Sequence, residues 1–442
     1  MTLSPRSRLL FSFSAAVLPL TLIVAAVPGQ SYLCLGFAAI VLVIVVSDAV
    51  SARRSLAGIG VALPPVIRMS KDREGKIEVR IRNQHGRVRS LRLALGLPAE
   101  IPPAAEEMDI SLPEGLEWSR FLWTCKPVKR GNYQIDSIYV EGVSSFGLWA
   151  ARKMHPVSAE IRVYPNLLTE RKNVAALFLN RGAFGSHAVR FVGKGRDFER
   201  LREYVPGDSY DEIYWKATAR RAKPITKVFQ IERTQEVYVV IDASRLSARE
   251  SAPGSSNLER LVTAALMLGL AAEQQGDLFG LIAHGDRVEK FVRAKNGKSH
   301  FGSCRDALYT LQPRTVTPDF DELCSFIRLR LRRRALIVFL TALDDPVLAE
   351  SFVRNVELIR RQHLVMVNMI RQPALRPLFT NSNVSTVDDL YGQLAGHLRW
   401  QKMRQLEKTL QRRGVHFSLM EDERLSAEVI SQYMAVKQRQ LI

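Results

Sequence analysis

Three hydrophobic rhythms follow one another along the chain. Residues 9–27 are almost unbroken apolar sequence, and residues 32–46 form a second such run, with Pro28-Gly29-Gln30-Ser31 between them as a turn. The first run meets the roughly 20 residues that a bilayer-spanning helix needs. The second reaches that length only by taking in residues 47–52, which places Asp48 near an interface. Arg6 and Arg8 precede the pair, Arg53 and Arg54 follow it, and the turn carries no charge. The positive-inside rule therefore puts both ends of a transmembrane helical hairpin, residues 1–55, in the cytoplasm. A cleaved signal peptide is the bland alternative, but it leaves the second run and its Arg-Arg stop unexplained.

The second rhythm, in residues 63–165, has a period of two. The segments 76–82 and 133–140 alternate apolar and polar residues, and turn signals at 83–86, 129–132 and 144–147 separate such runs. Short strands at this spacing predict a β-sandwich domain, whose bland role is that of a spacer or docking module. Residues 166–236 form a charge-dense signature linker. From residue 237 the rhythm becomes strand–helix alternation. Buried-strand runs at 237–241, 278–283, 335–341 and 364–370 are separated by helical patterns at 258–272, 300–311, 320–334 and 347–362. That order predicts an α/β domain with a mostly parallel sheet, reaching to residue 442. The tail, residues 387–442, reads as helical and basic.

Composition narrows the picture only slightly. With 442 residues there is room for two or three domains, and 47% hydrophobic and 24% charged residues are ordinary for globular chains. The formal net charge of +19 admits nucleic acid, an anionic membrane surface or an acidic protein as partner, and selects none. Cys34, Cys125, Cys304 and Cys324 are scattered, which fits buried thiols in a reducing compartment. The eight histidines make no H-E-x-x-H.

Candidate chemistry gathers where the 237–241 strand runs into Asp242-Ala-Ser244-Arg-Leu-Ser247. In doubly wound sheets ligands sit beyond the carboxyl ends of the strands, and a carboxylate with hydroxyls there offers the oxygens magnesium prefers. Asp344 arrives at the same edge, and Thr317 could add a hydroxyl from a loop. Each also has a structural explanation: Asp242 can close a turn, and Thr317-Pro318-Asp319 reads as a helix start. The stretch containing Arg196, Asp197, Phe198, Arg202, Tyr204, Gly207 and Asp208, then Trp215, Lys216 and Arg220, is dense in both signs of charge. It reads either as a hydrogen-bonded ion-pair network joining two domains or as a binding surface. Residues 292–299 end like a phosphate-binding loop, but Val292 replaces the first glycine, which argues against an ATPase. Arg328, Arg330, Arg332, Arg333 and Arg334 crowd one helix end. Helix-dipole placement and solvation account for most of the run, with anionic lipid as the functional alternative. No basic stripe is interleaved with aromatics, which argues against nucleic acid.

The pieces G-x-G-R-D-F, R-E-Y-x-x-G-D and W-K-A-x-A-R between residues 193 and 221 closely resemble the signature of the bacterial family called domain of unknown function 58. Residues 239–244, 361–363 and 433–437 extend the resemblance, as do Lys129-Arg-Gly-Asn-Tyr133 and Ser145-Phe-Gly-Leu148 upstream. The resemblance implies a von Willebrand factor A-like fold in the C-terminal half. It implies a partnership with a MoxR-type AAA+ ATPase in maturing or remodelling a client protein. It also aligns Asp242 and Ser244 with the first two positions of a D-x-S-x-S metal-adhesion motif, whose third position is Leu246, and makes Asp344 a match for its later aspartate. The expected function is a non-enzymatic adaptor at the bacterial inner membrane, multi-pass, with its soluble domains facing the cytoplasm. No cofactor beyond weak magnesium is expected. The rivals are a metal-dependent hydrolase using Asp242 and Asp344, and a binder of anionic lipid or nucleic acid.

Overall fold

A computed structural model describes residues 1–26, 31–84, 88–168, 170–172, 175, 192–205, 210, 213–230, 235–252, 255–372, 375–378 and 386–439. The turns expected at 28–31, 83–86 and 205–208 fall mostly outside these residues. The chain forms two compact units, Met1–Asn166 and Leu167–Ile442.

The first unit begins with strand β1 (Thr2–Pro5) and two helices, α1 (Ser7–Ala26) and α2 (Ser31–Ser55). Strands β2 (Ile59–Ala62), β3 (Val66–Ser70), β4 (Gly75–Asn83), β5 (Ser90–Leu95), β6 (Met108–Ser111), β7 (Trp118–Cys125), β8 (Gly131–Val143) and β9 (Trp149–Tyr164) follow. One sheet runs β1-β9-β8-β5-β6, with β3 also pairing with β9, and a second runs β2-β4-β7. The period-two pattern explains the packing. Ile77, Val79 and Ile81 of β4 meet Ile135, Ile138 and Val140 of β8 in one core, while their polar neighbours face outward. The sheets take in more chain than residues 63–165, because Thr2–Pro5 adds itself to β9 ahead of the helices.

Within α2, the span Leu35–Ser55 is long and apolar enough to cross a membrane. Its Leu35, Ile40, Leu42, Val43 and Val46 are exposed on this unit. The helix does not end where its apolar run does. Asp48 is buried and anchors the helix to the turn between β8 and β9. Ser144 Oγ donates to it at 2.6 Å, and the backbone N–H groups of Phe146 and Leu148 donate at 3.0 and 3.2 Å. Trp149 Nε1 donates to the Val45 carbonyl at 3.1 Å. Gly142 is glycine because a Cβ there would stand 2.8 Å from Ser55 Oγ.

In the second unit, β10 (Val192–Glu203) and β11 (Ile225–Gln230) form an antiparallel hairpin carrying the short helix α3 (Trp215–Arg221). Then come β12 (Glu236–Asp242), the small pair β13 (Glu250–Ala252) and β14 (Ser255–Ser256), and α4 (Asn257–Gln274). β15 (Leu278–His284), β16 (Val288–Lys295), α5 (Lys298–Leu308), α6 (Phe320–Arg330) and β17 (Ala335–Leu340) follow. The chain continues through α7 (Pro346–Asn355), α8 (Glu357–Arg360), β18 (Leu364–Ile370), α9 (Val387–Arg412), β19 (His416–Met420) and α10 (Leu425–Gln438). The sheet order is β16-β15-β12-β17-β18-β19, all parallel except β16. Every residue of β17 is buried, as a strand covered on both faces requires. Helices α4, α5 and α10 cover one face, and α6, α7 and α9 the other.

Two strands differ from expectation. Residues 288–295, part of which mimics a phosphate loop, form the antiparallel edge strand β16, and Gly297 at φ +104° turns it into α5. The tail is not simply helical: His416–Met420 inserts as the sixth strand between α9 and α10. The expected helix at 347–362 is two short ones, and that at 320–334 stops at Arg330.

Candidate functional site

Because β12 is the first strand of the sheet and its neighbours β15 and β17 lie on opposite sides, the chain reverses direction there. The carboxyl ends of β12 and β17 therefore flank the topological switch point, where open α/β sheets bind ligands. Asp242 ends β12 and is 1% exposed. Its Oδ1 accepts the backbone N–H of Ser244 at 2.9 Å, and its Oδ2 accepts Thr341 Oγ1 at 2.7 Å. Ser244 Oγ accepts the N–H of Leu246 at 3.3 Å as the cap of a single 3₁₀ turn, and Ser247 Oγ donates to the Ser244 carbonyl at 2.8 Å. A cleft beside them is lined by Asp242, Ser247, Asn257, Thr341, Met369 and Gln372.

The other expected ligands, Asp344 and Thr317, lie on loops at the same edge. Asp344 Oδ2 holds Arg249 Nη1 at 2.5 Å and Gln372 Nε2 at 3.1 Å. Thr317 is exposed, on a loop tied to the β12 end by Arg314 N–H to the Ala243 carbonyl and Arg245 N–H to the Val316 carbonyl. It is not the cap of α6. Asp319 takes that place, its Oδ1 accepting the N–H groups of Asp321 and Glu322 at 2.9 and 3.1 Å.

Each oxygen of Asp242 accepts one hydrogen bond and keeps a further lone pair, the Ser244 hydroxyl accepts within its own turn, and Leu246, at the third motif position, offers no oxygen and is buried in the core under α6 and α7. Among the described residues, no three His, Cys, Asp or Glu side chains gather to hold an ion.

One participant escaped the sequence reading. His284 ends β15, directly across from Asp242 in the register, fully buried beside the Phe320 ring. Burial lowers its affinity for a proton, which the nearby Asp242 charge only partly restores. A histidine closing a strand gives no sequence signal until the strand alignment is known.

The signature residues that are described lie on the β10–β11 hairpin and the helix α3 that it carries. In β10, Arg196, Asp197 and Phe198 are described only through their backbone, and Gly207 and Asp208 lie outside the described residues. Arg202 and Tyr204 are half-buried, Lys216 and Arg220 exposed, and α3 buries none of its residues. Trp215 is 68% exposed.

The outlying motif pieces have structural work. Asp277, buried ahead of β15, receives Gln235 N–H at 3.2 Å, Lys437 Nζ at 2.8 Å and the Tyr433 hydroxyl. Burial and the Asp277 charge together hold the Tyr433 proton in place. Lys437 also donates to the Gln275 carbonyl at 2.9 Å. Gln362 Nε2 bridges the carbonyls of Leu331 and Arg332 at 3.2 and 2.8 Å. In the first unit, the residues 145–148 form the socket for Asp48, and Tyr133 OH closes its turn on the Lys129 carbonyl at 3.1 Å.

A family profile described as "Protein of unknown function DUF58" matches residues 200–390. Uncharacterized proteins of Mycobacterium tuberculosis and Mycobacterium bovis are 25% identical to the chain over 191 residues, which is 43% of this chain. The match spans 59% of those relatives' own length. Among solved structures, an aerotolerance-related membrane protein from Bacteroides fragilis NCTC 9343 aligns at 14% identity and a TM-score of 0.29, over 46% of this chain and 98% of that one. The proximal thread matrix protein 1 of the mussel byssus aligns at 11% identity and a TM-score of 0.27, over 46% and 45%.

Proposed function

We propose that the protein is a membrane-anchored, non-enzymatic adaptor, whose α/β unit docks a partner at the carboxyl edge of its sheet. The observation that carries this reading is the state of Asp242. It sits where a ligand would bind, and Ser244 and Thr341 each donate to one of its oxygens, which fixes it as an organiser of the cleft. Asp344 Oδ2 is held in an ion pair with Arg249 and by Gln372, which weighs against the hydrolase reading, although its buried Oδ1 has no hydrogen-bond partner among the described residues. A strand order with β12 at the switch point and one antiparallel edge supports a von Willebrand factor A-like assignment.

The same reading makes α1 and α2 a two-pass hairpin in the bacterial inner membrane, with both units on the cytoplasmic side, on the strength of Arg6, Arg8, Arg53 and Arg54. The partner is a MoxR-type AAA+ ATPase or its client, as the family resemblance implies. Affinity capture of the full chain from membranes tests it. Association with that ATPase that changes with nucleotide state, and weakens in Arg249→Glu at the cleft rim, is the expected result. Magnesium-dependent turnover by the purified chain, lost in Asp242→Asn, would replace the adaptor with an enzyme.

A further inference from the structure

The opposite edge of the α/β sheet carries a feature that docking at the carboxyl edge does not use. The strand registers Glu236 with Ala335, Leu336 with Leu364 and Met366 with His416 place the loops entering β17, β18 and β19 side by side. Hydrogen bonds stitch them together. Gln362 reaches the carbonyls of Leu331 and Arg332, and Arg360 Nη1 reaches the Arg413 carbonyl at 3.1 Å. The first loop region brings Arg328, Arg330, Arg332, Arg333 and Arg334, the second Arg360 and Arg361, the third Arg412 and Arg413. Five arginines in sequence thus become nine along one edge.

The acids on this edge are too few to balance them. Glu357 holds Arg360 at 2.5 Å and lies 4.0 Å from Arg413, and Glu236 lies 3.9 Å from Arg333. Arg328, Arg330, Arg332, Arg361 and Arg412 are exposed, and of these only Arg361 feels a nearby acid among the described residues, Glu357, which it shares with Arg360 and Arg413. The dipoles of α6 and α9 favour cations in their last turns, which accounts for Arg328, Arg330 and Arg412. They say nothing for Arg332, beyond the end of α6, or for the gathering of arginines from three segments on one edge. Crowding like charges on a rigid edge opposes folding unless an opposite charge meets it. Among these arginines Leu329 stands 75% exposed, and Leu358 follows on the neighbouring loop. Cations fringed by exposed aliphatic side chains suit a surface with anionic headgroups over an apolar layer.

We propose that this cationic edge is a docking face for the anionic headgroups of the bilayer that anchors the chain. The proposal rests on α2 being a membrane anchor, and the test keeps the two claims apart. The full chain, carrying Cys34→Ala and Leu329→Cys, is labelled with an environment-sensitive dye. The remaining cysteines are buried, and burial raises Cys125 to about 11 and Cys304 and Cys324 to about 12, so they stay unlabelled. The protein is placed in nanodiscs of phosphatidylcholine alone, or of phosphatidylcholine with phosphatidylglycerol, each with a headgroup spin-labelled quencher lipid.

Several-fold stronger quenching in the anionic discs is expected. High salt and the pair Arg332→Glu with Arg361→Glu should abolish it, while Arg287→Glu at the opposite edge should leave it unchanged. Equal quenching in both lipids overturns the lipid face alone. So does quenching indifferent to the paired variant, or a dye response to single-stranded RNA without one to anionic discs. A chain that fails to enter discs at all overturns the anchor and, with it, this proposal.

Discussion

The two edges of the α/β sheet each bury a carboxylate and a histidine, and they use them differently. At the amino edge, Asp277 draws donors from three places: the β12 entry, the Tyr433 hydroxyl and the Lys437 ammonium, the last 160 residues away in sequence. It is a lock between α10 and the sheet. At the carboxyl edge, Asp242 is answered by its own turn and by the neighbouring strand, and the cleft beside it stays open. A carboxylate whose donors come from a covering helix holds distant parts of the fold together. One answered within the sheet, by its own turn and the next strand, shapes a local surface and leaves the surroundings free to bind.

That contrast breaks if the two carboxylates prove equally costly to remove. Asp277→Ala leaves the Tyr433 hydroxyl and the Lys437 ammonium without their acid. Breaking a buried pair costs about 3–5 kcal/mol, and because the Lys437 side chain is 25% exposed the lower end, about 3 kcal/mol, is expected. Hydrogen exchange in α10 should accelerate strongly. Asp242→Ala strands only a hydroxyl and an N–H and should cost less; an equal loss in both variants would erase the distinction.

Leu246→Ser sharpens it from the other side. The hydroxyl would complete the motif spacing at the carboxyl edge, but Leu246 is 2% exposed, so its loss costs about 2–3 kcal/mol of packing. Calorimetry should find magnesium binding in the variant that is weak or missing in the native chain, alongside a lower melting temperature. Tight magnesium binding by the native chain would show that the cleft rearranges around an ion.

Asp48 extends the comparison to the first unit. It sits on a helix and its donors come from the turn between β8 and β9, so by the same rule it is a lock, here between α2 and the sheet. Asp48→Ala should cost about 2 kcal/mol through unsatisfied donors around the socket. Protease sensitivity of residues 144–148 in the full chain reads it out. Unaltered cleavage would mean that Trp149 and Gly142 hold the helix alone.

What was legible in the sequence follows the same division between local and distant. Residues 335–340 and 364–370 stand out as strands because burial on both faces makes them continuously apolar. Edge strands lack that signature. β16 alternates with Lys290 and Arg293 and passes for a degenerate phosphate loop, and β19 hides its Phe417 and Met420 in a basic tail. Thr2–Pro5 is too short to read at all, and only β9 makes it a strand. At the candidate site, Asp242 and Ser244 are readable because a strand end is a local pattern. Thr341 and His284 become its neighbours only through the register of three parallel strands. The Tyr433–Lys437 spacing marks one helix face, but nothing local points from it to Asp277.

The smallest expected effect concerns the histidines. His284 at the carboxyl edge and His363 at the amino edge are buried, and burial lowers the proton affinity of each in the folded chain. Unfolding restores the ordinary value, so below the usual histidine range the unfolded chain binds protons that the folded chain does not. Stability from this source is therefore full at neutral pH and above, and drains as pH falls through the unfolded value, by at most about 1.4 kcal/mol per pH unit for each proton. His284 has Asp242 to offset its burial; for His363 burial is the resolved cause. His284→Leu and His363→Leu should each remove part of the slope, by at most about 1.4 kcal/mol per pH unit. Melts of native and variant chains at neutral and mildly acidic pH measure it. If His284→Leu flattens the profile more than His363→Leu, the buried proton sensor lies at the carboxyl edge, and the amino edge is the more permissive of the two.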